Sequence, residues 1–509
     1  MTAELEFERA RSAMKRDKRG HAALEALARA ALPAWREADA IGPVEAEARR
    51  SGSARLWQWT ALLHRGLDAH DKALEAFARA ADIAPEDPGI AHGRARIAFE
   101  AGLPASALYA RACALKPKDP DLILGLTAAE IAEGRSSDAI ARLSAIVARS
   151  PAWPDGHRRL AELRWMMGEH RDFADATYEA LRARPANDAL WSTLLQLFVQ
   201  AELYEPLEAA IAAARDAVGD KGYLLVFEAV LFSETGRHAA ADAAFAALAG
   251  ARPDPSIALR HVRHLLRTGR PAEATRAIDP WLDTAAGLQF YPYAAAAWRL
   301  TGDERISWLE ARAELVRVVD LAPHLPSLDD VATHLQALHR ARSRHLDQSV
   351  RGGSQTDGNL FQRIDPIIRQ LRDAVASAVS DHVADLPAVD AEHPVLGVRR
   401  DLPVRFSGAW SVRLAGGGHH ANHVHPAGWL SSALYVALPE RQPGEAADSG
   451  WLTLGEPPTE LGLALEPLRR IEPKPGRLVL FPSTMWHGTR PFAKGERLTV
   501  AFDVARPPG

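Results

Sequence analysis

Along the first two-thirds of the chain, apolar residues recur at helical spacing in short stretches separated by glycine and proline. Glycines between paired amphipathic stretches stand at positions 66, 102, 134, 168, 236, 269 and 302. Their spacings are 36, 32, 34, 68, 33 and 33, and the doubled interval places a missing member at Glu202, in Ala201-Glu202-Leu203. Pro85, Pro117, Pro151, Pro185 and Pro253 keep the same beat. An alanine lies twelve residues before four of them, at Ala73, Ala105, Ala139 and Ala241, and Phe173 breaks the rule. Each device has a physical reason. A small residue lets two antiparallel helices approach closely. Glycine accepts the left-handed conformation that ends a helix, and proline cannot continue one. The pattern predicts stacked helical hairpins over residues 52–320. Glu4 to Lys15 and His21 to Ala31 read as further helices, forming a cap over residues 1–51.

A bridge follows at residues 321–345, with a helix from Leu328 to Arg340 that Ser327 can cap and whose first turn carries Asp329 and Asp330. The helical pattern stops at Gln348–Asn359, a polar, glycine-rich stretch that reads either as a linker or as a lid, since Arg351, Gln355, Thr356 and Asn359 could all bond a bound molecule. From Phe361 to Val383, Ile364, Ile367, Ile368, Leu371, Val375, Val379 and Val383 repeat at helical spacing and predict one amphipathic helix on a sheet. Beyond residue 400 the period becomes two. The expected strands are Val404–Leu414, His420–His425, Ser431–Leu438, Gly450–Leu454, Arg477–Phe481, Met485–Arg490 and Arg497–Val504, separated by Gly/Pro turns, as in a β-sandwich or barrel over residues 346–509.

Composition narrows the function classes. The chain has 509 residues and a net charge of −4, so bulk electrostatics do not favour nucleic acid as a partner. Cys113 is the single cysteine, which excludes an intramolecular disulfide and a cysteine-based zinc site. The charged N-terminus lacks the apolar core of a signal peptide, and no run of about 18 apolar residues predicts a membrane span. A cytoplasmic location with no membrane partner is the expectation.

The candidate chemistry lies in the last hundred residues. His419, His420, His423 and His425 fall within seven positions. On a strand, residues i and i+2 share a face, so His423 and His425 can both point inward and bind one metal. His487 supplies a third imidazole from a distant strand. Arg497, Thr499 and Ala501 alternate with Leu498, Val500 and Phe502. If the first set lines a barrel, Arg497 is a buried guanidinium that needs an anionic partner. That partner is either the carboxylate of a bound co-substrate, gripped in two-point fashion with help from Thr499, or an acid of the domain itself.

Two resemblances follow from these residues. The glycine and proline beat resembles the tetratricopeptide (TPR) repeat family over residues 52–320, with that family's Trp, Leu, Gly and Tyr positions only patchily filled. It implies an α-solenoid whose concave face seats a protein or peptide partner, or whose surface forms a homodimer. The stretches Trp410–Leu414, His419–Pro426, Gly428–Ser431, Leu434–Val436, Pro475–Ser483, His487 and Glu496–Thr499 resemble the Fe(II)- and 2-oxoglutarate-dependent dioxygenase superfamily, closest to its bacterial branch of TPR-carrying oxygenases. The implied whole is a multidomain α + β chain with a double-stranded β-helix (jelly roll) and a flanking helix. The resemblance implies hydroxylation of a protein, peptide or small molecule. It also implies Fe(II) on His423, His425 and His487, and 2-oxoglutarate on Arg497, Thr499 and Tyr435, with Asn422 as a polar contact.

The chain departs from that family's usual ligand triad at His425, which stands where a carboxylate is expected. Three neutral imidazoles leave the metal more positive than two imidazoles and a carboxylate do. Either His425 ligates, or two histidines do and water fills the gap, as in the aspartyl/asparaginyl β-hydroxylases. Asp448 and Glu456 lack the expected spacing for the missing acid. A cupin-like metal enzyme would want a Glu near Trp429 or Leu430 and leaves Arg497 without a role. A non-catalytic TPR adaptor with a degenerate β-domain is the remaining alternative.

Overall fold

The computed structural model describes residues 2–250, 253–346 and 348–508. Three helices, Ala3–Arg16, His21–Ala34 and Glu37–Ser51, open the chain. Hairpins then follow from Ala54–Gly66/His70–Ile83 to Pro255–Arg267/Pro271–Ile278, and Gly287–Thr301 with the short Arg305–Leu309 closes the array. Several hairpins start with the same local chemistry. Asp87, Asp119 and Asp254 cap a first helix by accepting its free N–H groups, and a proline occupies the next position.

The turn beat holds with one correction. Gly102, Gly134, Gly168, Gly236, Gly269 and Gly302 take the left-handed conformation, and Glu202 takes it without being glycine, at φ 62°. In the first hairpin the left-handed residue is Asp68, at φ 55°, and not Gly66. Gly66 is glycine for another reason: a Cβ there would stand 2.6 Å from the Glu37 carboxylate. Ala73, Ala105, Ala139 and Ala241 are all buried. Phe173 replaces the small residue, packs on Trp165 and Phe198, and its helix starts only at Asp175.

The C-terminal domain is a two-sheet sandwich. Its strands are β1 (Arg317–Asp320), β2 (Val350–Gln355), β3 (Phe406–His420), β4 (Gly428–Ala437), β5 (Leu452–Leu454), β6 (Arg469–Ile471), β7 (Arg477–Pro482), β8 (His487–Thr489) and β9 (Glu496–Ala505). The major sheet has the order β1-β7-β4-β9-β3-β2, and the minor sheet β6-β5-β8. All named pairings are antiparallel. Leu430, Leu434, Leu478, Leu498, Val500, Phe502 and Val504 form one face of the major sheet. They pack under the flanking helix Pro366–Asp385 through Ile368, Leu371, Val375 and Val379. Proline at the first helical position starts that helix later than Phe361. Ser327 caps the bridge helix, Leu328–Leu338, as expected.

Three expectations change here. The stretch read as linker or lid contains β2, an edge strand paired with β3 across a bulge at Arg351/Gly353. A Cβ on Gly353 would lie 2.3 Å from the Arg413 carbonyl oxygen, so the close approach requires glycine there. The segment His420–His425 is not a strand, because β3 ends at His420. The β-fold also begins earlier than residue 346, since β1, at the end of the stretch read as array, pairs with β7.

The array wraps its own C-terminal domain mainly along the turn edge of the hairpins. Buried Glu37 holds Arg405 through both carboxylate oxygens, at 2.9 and 2.5 Å. Ala101 and Met166 carbonyls accept from the backbone of Ile364 and Arg342. Glu202 pairs with Arg351 at 2.8 Å, and Arg267 donates to the Glu460 carbonyl. Among the described residues no helix is long and apolar enough to cross a membrane.

Candidate metal centre

The alternation along β9 sets up the site. Leu498, Val500, Phe502 and Val504 belong to the core under the flanking helix. Arg497, Thr499, Ala501 and Asp503 turn the other way and line a cavity between the two sheets. Tyr435 stands opposite Thr499 in the register. His420, His423, His425 and His487 line the same cavity, together with Gln348, Ser349, Gln355 and Trp410.

His423 and His487 face each other across an isolated antiparallel bridge, with N–H to carbonyl bonds of 2.9 and 3.0 Å. The backbone N–H of His425 donates to Ser483. The three ring centroids are 4.9 Å (His423–His425), 4.2 Å (His423–His487) and 5.2 Å (His425–His487) apart. One ligand atom from each lies within 4.8 Å of the others.

Every one of these imidazoles has its Nδ1 tied to an oxygen. His423 Nδ1 donates to the Ala421 carbonyl at 2.9 Å, and His487 Nδ1 to the Met485 carbonyl at 3.0 Å. His425 Nδ1 meets the Asp503 carboxylate at 2.9 and 2.8 Å. An Nδ1–H committed in this way fixes the neutral tautomer whose Nε2 carries the lone pair a metal needs. Burial and neighbouring imidazoles hold His423 and His487 well below the ordinary histidine range, which also favours the neutral form. The donor set therefore fits a divalent transition metal.

Asp503 was not singled out in the sequence, although it continues the inward face of β9 by two residues beyond Ala501. It also accepts from Ser431 Oγ at 2.6 Å, and Ser431 is within 3.0 Å of Ser483 Oγ. A carboxylate, that of Asp503, thus stands directly behind His425. Asp448 and Glu456 are committed elsewhere, Asp448 near Arg470 and Arg490 and Glu456 to Arg490. Ser349 carries no sequence signal, yet its hydroxyl lies 3.1 Å from His423 Nε2 and 3.2 Å from His420 Nδ1. Burial pushes His420 down to about 3.

Arg497 is 2% exposed. Its Nη1 donates to the Gly450 carbonyl at 2.9 Å and its Cζ lies 4.9 Å from the Tyr435 ring centre. Arg497 Nε and the Tyr435 hydroxyl are both buried without a hydrogen-bond partner. Among the described residues no acidic side chain pairs with Arg497. A buried guanidinium and a buried phenol, both partly unsatisfied on one wall, fit an anionic carboxylate. Asn422 stands apart from this arrangement. Neighbouring side chains of an extended segment point oppositely, so Asn422 turns away from His423 and its amide donates to the Pro457 carbonyl at 3.1 Å.

Residues 408–503 match the model of a family described as "Putative 2OG-Fe(II) oxygenase". That stretch contains the three histidines, Tyr435, Arg497, Thr499 and Asp503. The chain thus joins an array of helical hairpins to a C-terminal β-sandwich domain that matches this family model over residues 408–503. No curated protein matches this chain in sequence. Similar solved structures include YrrB, a TPR protein with an unusual peptide-binding site (12% identity, 36% of this chain and 95% of that chain, TM-score 0.28). Others are a Pseudomonas putida prolyl-4-hydroxylase (19%, 42% and 98%, 0.26) and a tetratricopeptide repeat protein from Parabacteroides merdae (15%, 46% and 94%, 0.28).

Proposed function

We propose that the chain is an Fe(II)- and 2-oxoglutarate-dependent dioxygenase of the hydroxylase type, acting on a protein or peptide side chain or on a small molecule. The observation that carries this reading is the pairing of two features on one cavity: three imidazoles with every Nδ1 committed, and a buried arginine with no acid. His423, His425 and His487 hold the metal through Nε2. Arg497, with the Tyr435 hydroxyl and Thr499, seats the distal carboxylate of 2-oxoglutarate. Bound iron and co-substrate supply an oxidant able to hydroxylate an unactivated C–H bond. The chain's own residues orient that co-substrate and fix the imidazole tautomers.

The helical array is assigned the recruitment of a protein or peptide partner. A cleft of about 900 Å³ lies between helices Pro88–Glu100 and Pro120–Ala132 and the segment from Thr356 to Arg363, with Arg96, Tyr109, Glu133 and Arg340 on its walls. It supports this assignment by its size and mixed charge.

The test is conversion of 2-oxoglutarate to succinate by the purified chain with Fe(II). Arg497→Met removes the charge that faces the co-substrate. Losing one partner of a buried charge pair costs about 2–5 kcal/mol, so the 2-oxoglutarate requirement should rise by roughly 100-fold. An unchanged requirement in Arg497→Met, with turnover intact, would remove the co-substrate seat from the proposal.

A further inference from the structure

The reverse faces of the segments that carry the three histidines are covered mainly by the helical array. His423 and His425 point into the cavity, and Val424 between them points the other way. Met485 and His487 face the β-domain interior, and Trp486 between them points the other way. Val424 and Trp486 both enter a hydrophobic cluster made mainly of the last helices of the array, including Phe290, Tyr293, Trp298 and Leu309. Trp486 is 4% exposed. Its indole N–H donates to the Pro292 carbonyl at 2.8 Å, and Tyr293 meets its ring edge-on at 5.3 Å. Leu461 and Leu463 of the β-domain join the same cluster.

The ligand segments are short. The strand carrying His487 is three residues long and pairs with β5 along one edge, and His423 is joined to its other edge by a single bridge. A short segment of that kind stays in one place only if its other face is packed. The array helix Gly287–Thr301 supplies that packing. It is buried almost continuously from Phe290 to Trp298, unlike the one-sided burial of most helices in the array.

We infer that the helical array completes the metal centre, with Trp486 as a positioning residue that holds His487 and, through the bridge, His423 against the array. This rests on the reading of the three histidines as metal ligands. The array is then part of the site and not only a platform beside it. A partner that shifts the last hairpin would alter metal and co-substrate binding without entering the cavity.

The experiment uses the full chain and Co(II) as the probe, followed by its visible spectrum, with thermal unfolding of each metal-free variant recorded in parallel. Trp486→Phe keeps an aromatic ring and loses the indole N–H. Tyr293→Leu removes the edge contact from the array side, on a residue far from the ligands in sequence. Arg405→Lys weakens the same domain contact at its opposite end, at Glu37. Supporting partners of metal ligands are worth about 10- to 100-fold in affinity, so Trp486→Phe and Tyr293→Leu should weaken Co(II) binding by about 10-fold and shift its spectrum. Arg405→Lys should lower thermal stability and leave metal affinity unchanged. Should the first two variants bind Co(II) like the wild type, or should all three weaken it equally, Trp486 is only interface packing and the inference is wrong. Failure of the wild type to bind Co(II) would instead overturn the ligand reading beneath it, and would show before any variant is made.

Discussion

Replacing Asp503 by Asn separates a carboxylate that supports His425 from one that binds the metal itself. The side chain accepts from His425 Nδ1 at 2.8–2.9 Å and from Ser431 Oγ at 2.6 Å, and it is 14% exposed. Asparagine has the same shape. Its oxygen can still accept from His425, and Ser431 can turn its hydroxyl to Ser483, 3.0 Å away. The change therefore removes charge with little loss of packing. A hydrogen bond to a charged group is worth about 1.5–3 kcal/mol and a neutral one about 1 kcal/mol. The difference, about 1–2 kcal/mol, corresponds to a loss of roughly 5- to 30-fold in metal affinity. The assay is anaerobic titration of Fe(II) into Asp503→Asn, with His425→Ala beside it. Support of His425 predicts a moderate loss in the first and a much larger loss in the second. Wild-type affinity in Asp503→Asn would show that the carboxylate does nothing for the metal. Abolished binding in Asp503→Asn together with retained binding in His425→Ala would make Asp503 the ligand and refute the three-imidazole centre.

Glu202 holds a left-handed backbone conformation that glycine adopts freely, so Glu202→Gly should be more stable than Glu202→Ala by about 1 kcal/mol in chemical denaturation; equal stabilities would mean that the turn carries no strain. Burial raises the Glu310 carboxyl to about 8. The unfolded chain ionises this group near the ordinary carboxylate value, so its stability contribution is complete below that value and declines as pH rises toward 8. Glu310→Gln should flatten that part of the stability–pH curve, and a curve of unchanged slope would contradict the assignment. A Cβ on Gly488 would fall 1.9 Å from Asn422 Oδ1, so Gly488→Ala should destabilise the chain by roughly 1–3 kcal/mol and weaken metal binding with it, both measurable by thermal unfolding with and without Co(II).

Much of this architecture could be read from periodicity, because stacked helices need the same turn chemistry at every repeat. The interval that lacked a glycine was located at Glu202, and the backbone there is left-handed all the same. The switch to a period of two after residue 400 reflects strands with an apolar face under the flanking helix and a more polar face on the cavity, and it placed Arg497 and Thr499 together on the inner wall of β9. Non-local features were less visible. Asp503 continues that wall, but only the fold brings it to His425, 78 positions earlier in the chain. The strand β2 was hidden because its glycines, needed for close approach to β3, look like a linker when read locally. Asn422, a polar contact in the reading by resemblance, is turned away by alternation and bonds the Pro457 carbonyl instead. Val424 and Trp486 stood beside the candidate ligands without a role, because their main partners lie in helices more than a hundred residues upstream.

The most direct test of the central claim is anaerobic titration of 2-oxoglutarate into the Fe(II)-loaded chain, watching for the weak visible charge-transfer band of a chelated 2-oxo acid. The account predicts a saturable band in the wild type that is lost in His487→Ala and requires far more 2-oxoglutarate in Arg497→Met. Metal binding without any such band, at any 2-oxoglutarate concentration, would contradict it.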